Sequence, residues 1–275
     1  MTSQYETKRL ITFDRIKIKS NYKYLLNTKV KFNEMFHSRS GEKIGIFYSS
    51  KDDINIPYNL YIAVSYIKQT LTLEFSSKIL KEKYPDLISR DTIKECLTNI
   101  NQLNICDIDV DSILSNGAIT SVDVTYDANL ILSDNLLDAL NSQVNNYRRF
   151  KWAHYDKEGI MFTKDVKSKD CTETITLYNK EKEICTSHNK DFLNSLSQPQ
   201  SVIDYFKEKT RFEITLDTPK KIMKYLNLTD TKIFSVLNSD TNPILAQFDK
   251  VFGNSTANMP NTTFDDYENW AMKII

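Results

Sequence analysis

Four segments of the chain alternate apolar with polar residues, and because side chains alternate across a strand, each predicts a β-strand with one apolar and one polar row. Leu71, Leu73 and Phe75 oppose Thr72, Glu74 and Ser76, while Val122, Val124 and Tyr126 oppose Ser121, Asp123, Thr125 and Asp127. Ile175 and Leu177 oppose Thr174, Thr176, Tyr178 and Lys180, and Phe212, Ile214 and Leu216 oppose Arg211, Glu213 and Thr215. Further strands are expected at ITFDRIKIKS, EKIGIFYS and NLYIAVSY, in the same sheet or a flanking one. Between the strands, apolar residues recur at steps of three or four, which predicts helices. One carries Ile93, Leu97, Ile100 and Leu103 after Ser89 as N-cap, and a second carries Leu136, Leu137, Leu140, Val144 and Tyr147 after Ser133. Thr218-Pro219 and Asn242-Pro243 open two more, since proline suits the first helical position. Residues 186–200 read as a loop with a short helix, and 254–265 as a mobile connection. The expectation is an α+β fold: a largely antiparallel central sheet, helices packed on one face, and an open polar face. Residues 1–60 are read as basic N-terminal strands of the same domain, 61–230 as the core and 231–275 as a C-terminal helical extension.

Length and composition agree with a folded chain. Of 275 residues 40% are hydrophobic, with only 5 Gly and 6 Pro, which excludes collagen-like and linker-dominated sequences. Thirty-six basic and 36 acidic residues cancel, so any attraction to nucleic acid must come from a local patch. The charge is unevenly spread: residues 1–50 hold ten Lys/Arg against four Asp/Glu, and residues 86–138 hold two against ten. Four cysteines without CxxC spacing fit reduced thiols, and no apolar run is long enough to span a membrane. A cytoplasmic setting is therefore expected.

If the four strands share a sheet, Glu74, Asp123 and Glu213 emerge on one side. Three converging carboxylates repel unless a cation joins them, and oxygen ligands favour Mg²⁺ or Mn²⁺ over zinc. The plain alternative is a solvated strand face with unrelated acids. Tyr178 shares that face, with Lys180 two residues on. A tyrosine can attack a phosphodiester once its proton is lost, and a nearby ammonium or metal ion favours the phenolate.

Four segments, TLEFSSKIL, ITSVDVTYDA, ETITLYNKEKEI and TRFEITLDTPKKIMKYL, resemble in order and spacing the replication initiators of filamentous phages and related plasmids, the gene II/X family. The similarity spans roughly residues 60–230. It implies a rolling-circle nuclease fold whose open polar face is catalytic. Such a protein nicks one strand of supercoiled origin DNA, joins the 5′ phosphate to tyrosine, leaves a 3′-OH for the polymerase and later rejoins the displaced strand. The resemblance places the nucleophile at Tyr178 with Lys180 beside it, and sets Glu74, Asp123 and Glu213 as candidate metal ligands. It also implies origin DNA, supercoiled or single-stranded, and the host helicase and polymerase as partners. The chain departs from better-known rolling-circle nucleases in having no H-x-H among His37, His154 and His188, which leaves His154 as a candidate fourth ligand.

A melted origin requires aromatic stacking and lysines along the backbone. Arg148, Arg149, Lys151 and Trp152 precede the catalytic hairpin, and Lys164, Lys167 and Lys169 lie in the turn region before Tyr178. Arg211 either steadies a phosphate or pairs with an acid. The basic N-terminal residues, Lys17, Lys19, Lys29 and Lys31 among them, are candidates for gripping duplex flanks. Three functions compete: a tyrosine nickase and strand transferase, a non-catalytic DNA-binding replication or copy-control protein, and an interaction module whose sheet face docks a protein.

Overall fold

A computed structural model describes residues 11–142, 150–155, 158–164, 174–252 and 264–274. The strands are β1 Phe13–Asn21, β2 Leu25–Thr28, β3 Asn33–Phe36, β4 Lys43–Ser49, β5 Leu60–Ser65 and β6 Thr70–Ser76. They continue with β7 Cys106–Ile108, β8 Ala118–Ala128, β9 Phe150–Tyr155, β10 Gly159–Lys164, β11 Thr174–Asn179 and β12 Thr210–Leu216. Ten of them form one sheet in the order β3-β4-β5-β6-β1-β8-β12-β11-β10-β9, and every pairing is antiparallel. The remaining two, β2 and β7, pair with each other. All four alternating segments are strands of this sheet, and the N-terminal strand β1 runs through its middle.

One row of each strand builds the main core. Ile16, Ile18, Leu73, Phe75, Val122, Val124, Phe212, Ile214, Ile175 and Leu177 are all buried there, beneath helices that include Ile93–Gln102, Pro219–Leu226 and Ile244–Phe252. The expected caps hold at the start of Pro219–Leu226 and at that of the helix Asp134–Ser142. Thr218 accepts a hydrogen bond from the Lys221 backbone N–H at 3.3 Å, and Ser133 accepts one from Leu136 at 3.2 Å. At the first helix the cap position is Thr92 rather than Ser89, because the Thr92 hydroxyl is bonded to the Leu87 carbonyl and fixes the entering turn.

Sequence spacing alone would break at β1. Phe13 and Ile16 both face the core although they stand three apart, since Asp14 is an extra residue: Phe13 lies opposite Val124 and Arg15 opposite Asp123. This β-bulge turns two successive charged side chains, Asp14 and Arg15, toward the polar face.

The polar face is not open along its whole length, which corrects the expectation of helices on one face only. Over its β8–β12–β11 end lies a second, smaller apolar cluster made of Tyr84, Ile184, Phe192, Leu196, Val202 and Phe206. These residues come from the 77–86 segment, the helices Lys180–Ile184, Lys190–Asn194 and Pro199–Phe206, and, for Leu196, the link between the last two. The cause is Arg211, which has 0% of its surface exposed. Its Nε and Nη2 donate to the two carboxylate oxygens of Asp127 at 2.6 and 2.9 Å, its Nη1 donates to the Tyr84 hydroxyl at 3.1 Å, and Asp14 lies 3.2 Å away. A charge excluded from water in this way is tolerated only when its donors are met, and two acids and a phenol meet them.

Removing one partner of such a buried pair leaves the other charge stranded. Asp127→Ala is expected to lower unfolding free energy by about 3–5 kcal/mol, read as a lower urea midpoint with an unchanged slope.

Candidate active site

The polar rows of β8, β12 and β11 bring the candidate residues together through cross-strand register. Asp127, Arg211 and Tyr178 lie in one row, Thr125, Glu213 and Thr176 in the next, and Asp123, Thr215 and Thr174 in the third. Tyr178 and Glu213 are thus diagonal neighbours on adjacent strands, within reach of each other's side chains. Both are half-buried. On the far side of Tyr178 the register places Gly159, where an added Cβ would fall 2.6 Å from the Tyr178 Cβ and 2.6 Å from the Leu177 carbonyl oxygen. A glycine is required there for β10 to pass this close.

The strand ends immediately after Tyr178. Asn179 accepts a hydrogen bond from the Lys182 backbone N–H at 2.9 Å and caps the helix Lys180–Ile184. Lys180 therefore leaves the strand row it was expected to occupy. Its side chain is buried, ion-paired with Glu183, and its Nζ stands 5.7 Å from the centre of the Tyr178 ring, 5.2 Å from that of Tyr84 and 5.3 Å from that of Phe206. The ammonium lies over ring faces among aromatic neighbours. Asparagine followed by Lys-Glu-Lys-Glu is the sequence signal for this helix start.

The electrostatics separate the acids into two kinds. Burial alone would raise the Asp14 carboxyl, but Arg211, Lys180 and the Ser77 hydroxyl together hold it at about 2. Glu213 behaves oppositely: burial, reinforced by the nearby charges of Asp123 and Asp14, pushes its carboxyl up to about 8. The Tyr178 phenol is raised well above its ordinary value, first by burial and then by Glu213, so it is neutral at physiological pH.

Glu74, Asp123 and Glu213 share the polar face, but they do not form a metal cage. Arg15 donates to Asp123 through Nε at 2.7 Å and Nη2 at 2.9 Å, and to Glu74 through Nη1 at 2.9 Å, while Lys17 pairs with the second Glu74 oxygen at 2.8 Å. Among the described residues no group of three or more His, Cys, Asp or Glu side chains is placed to hold a metal ion. A guanidinium already joins two of the three acids, so this donor set does not fit a divalent cation. Arg15 escaped notice in the sequence because alternation shows which face a residue occupies but not which acids arrive on the strands to either side of it.

The expected DNA contacts divide as well. Arg211, for which a phosphate contact and an acid partner were both open, is sealed from solvent and paired with Asp127, Asp14 and Tyr84. Arg148, Arg149, Lys167 and Lys169 lie outside the described residues. For Lys151, Trp152, His154 and Lys164 only the backbone is described, with Lys151 opposite Thr163, Trp152 opposite Phe162, His154 opposite Ile160 and Lys164 opposite Phe150. Tyr205 stacks edge-on against Phe206 with the Lys209 ammonium 4.7 Å from its ring centre.

The family model for the N-terminal region of the phage gene II replication-associated protein matches residues 87–235, more than half of the chain. The chain belongs to this family. The resemblance to phage replication initiators is borne out, and membership implies a role in initiating DNA replication and, with it, DNA binding. The match contains Asp123, Tyr178 and Glu213 but neither Glu74 nor Arg15. No curated protein matches the chain. No described helix is long and apolar enough to cross a membrane.

The raised Glu213 carboxyl makes stability depend on pH. It ionises near its ordinary 4.5 in the unfolded chain and near 8 in the folded protein, so its contribution is fully present below 4.5 and is lost as pH rises through 8. Glu213→Gln should therefore melt about 4 °C above the unsubstituted protein at pH 9, for roughly 1–2 kcal/mol after discounting for solvent contact. The two melting curves should converge toward pH 5.

Proposed function

We propose that this family member initiates rolling-circle replication by nicking one origin strand with Tyr178. The observation that carries the reading is the pairing, on one sheet face, of a partly accessible phenol with the raised carboxyl of Glu213, inside the segment that defines the family. The Tyr178 oxygen attacks phosphorus, a new O–P bond forms to the 5′ side, and the bond to the 3′ oxygen breaks. The phenol proton passes to the ionised form of Glu213, and Glu213 then returns a proton to the departing 3′ oxygen as a free 3′-OH. A carboxyl near 8 suits both duties, because a catalytic acid or base works best with a pKa close to the working pH. Rejoining is the reverse, with a 3′-OH attacking the phosphotyrosine.

In this reading the protein is an endonuclease and strand transferase acting in a bacterial host cytoplasm, with the 3′-OH extended by a host polymerase behind a host helicase. No step above passes through Mg²⁺ or Mn²⁺, because Arg15 joins two of the three acids expected to hold the ion, and the assay varies the metal directly. The neutral, partly covered phenol favours a second reading, a DNA-binding copy-control protein that keeps the fold without cleaving.

Incubation with a supercoiled plasmid carrying the protein's own origin, with Mg²⁺ or Mn²⁺ and in parallel with a chelator, separates the two. Nicked product bound covalently to protein is expected, and Tyr178→Phe should abolish the adduct while leaving DNA binding largely intact. Coupling that persists in the substituted protein would show that another residue is the nucleophile. Glu213→Gln should slow nicking by about 10²–10⁴-fold and remove the rise in rate as pH climbs toward 8.

A further inference from the structure

Away from the capped end, the same polar face continues over β1, β6, β5 and β4. Cross-strand register places Ser49, Tyr61, Glu74, Lys17 and Ser121 in one row, and Asn33, Phe47, Ala63, Thr72 and Lys19 in the next. The Phe47 and Tyr61 rings lie 6.1 Å apart between centres at 34°. Both are half-buried, Lys19 is exposed, and Lys17 keeps 34% of its side chain exposed. The neighbouring residues Ala63, Ser65 and Thr72 are small, so the rings stand beside a shallow floor. The acid of these rows, Glu74, is neutralised at both oxygens by Arg15 and Lys17. An aromatic pair on adjacent strands also stabilises a sheet, but that role alone does not call for lysines on the strands alongside.

We propose that this half of the face, at Phe47, Tyr61, Lys17 and Lys19, is a stacking platform for single-stranded DNA. The assignment rests on the proposed nicking function only in naming DNA as the occupant. The feature that favours that occupant is positive charge suited to a phosphate backbone, set on the sheet face that also carries Tyr178. From β5 to β11 there are five strand steps, about 24 Å at the usual strand spacing. A strand lying along this row passes Lys17 and reaches β8 at Ser121, on the face where Asp127, three rows along the same strand, leads to Arg211 and Tyr178. Bases stack on the rings without sequence preference while the ammonium groups follow the phosphates.

The test uses the full chain carrying Tyr178→Phe, so that binding is read without chemistry. Fluorescence anisotropy with labelled oligothymidylate of about 20 nucleotides, and with a duplex of equal length, is measured across a salt series. Phe47→Leu with Tyr61→Leu should weaken oligothymidylate binding by about 30-fold or more while changing duplex affinity little. Lys19→Ala, at an exposed position that leaves the fold intact, should reduce the slope of log affinity against log salt by about 0.7. Unchanged oligothymidylate affinity in a double variant of normal melting temperature overturns the platform, and so does an unchanged salt slope for Lys19→Ala. If the double variant fails to fold, the slope decides alone. Absence of a covalent adduct in the plasmid assay would refute the nicking reading and leave this result standing.

Discussion

A guanidinium withdrawn from water governs the polar side of this sheet. Arg211 can be enclosed only because Asp127 takes two of its donors, Tyr84 a third, and Asp14 lies as a second acid 3.2 Å from its Nη1. Each partner comes from a different part of the chain: β8, the 77–86 segment, and the bulge in β1. Satisfying one buried cation therefore locks the β8–β12 register, draws the 77–86 segment against the end of the sheet, and gives the small helices of residues 180–206 an apolar surface to cover. The Tyr178 ring is held in the niche that results, with its row partner Arg211 behind it and the Lys180 ammonium over its face.

The same arithmetic of charge explains the division of labour among the acids. Asp14, Asp127, Glu74 and Asp123 each lie against a guanidinium or an ammonium, and where a shift is resolved, at Asp14 and Glu74, the carboxyl is held low. Glu213 is half-buried beside two of these acids, and its carboxyl rises as a result. Proton affinity on this face is thus concentrated at one residue, diagonal to the phenol. A site that exchanges a proton needs such a residue, and the cost of keeping it is a fold that loses stability as pH rises.

The sheet's two ends also divide the polar face into unlike halves. The β8–β12–β11 end is roofed and ionic, while the β4–β5–β6–β1 half carries half-buried aromatics and lysines with a shallow floor between them. A single antiparallel sheet joins them, and β8 is common to both: the row of Tyr61 meets it at Ser121 and the row of Tyr178 at Asp127.

The alternation of apolar and polar residues was enough to find β6, β8, β11 and β12, to place Asp123, Tyr178 and Glu213 on one face, and, through the order of four segments, to reach the family. Those are local properties, set by a period of two along each strand and by residue spacing. What lay beyond the sequence was every feature that depends on which distant residue arrives opposite. Arg15 stands where a cation was expected between Glu74 and Asp123 because β1 is paired with β6 on one side and β8 on the other. Of the two roles open to Arg211, the structure shows the acid pair, because Asp127 meets it across the sheet. Lys180 leaves the strand because the Asn179 side chain caps a helix. Alternation names the residues on a face, but only packing decides which charges on that face are already paired, since pairing is set by distances between strands far apart in the chain.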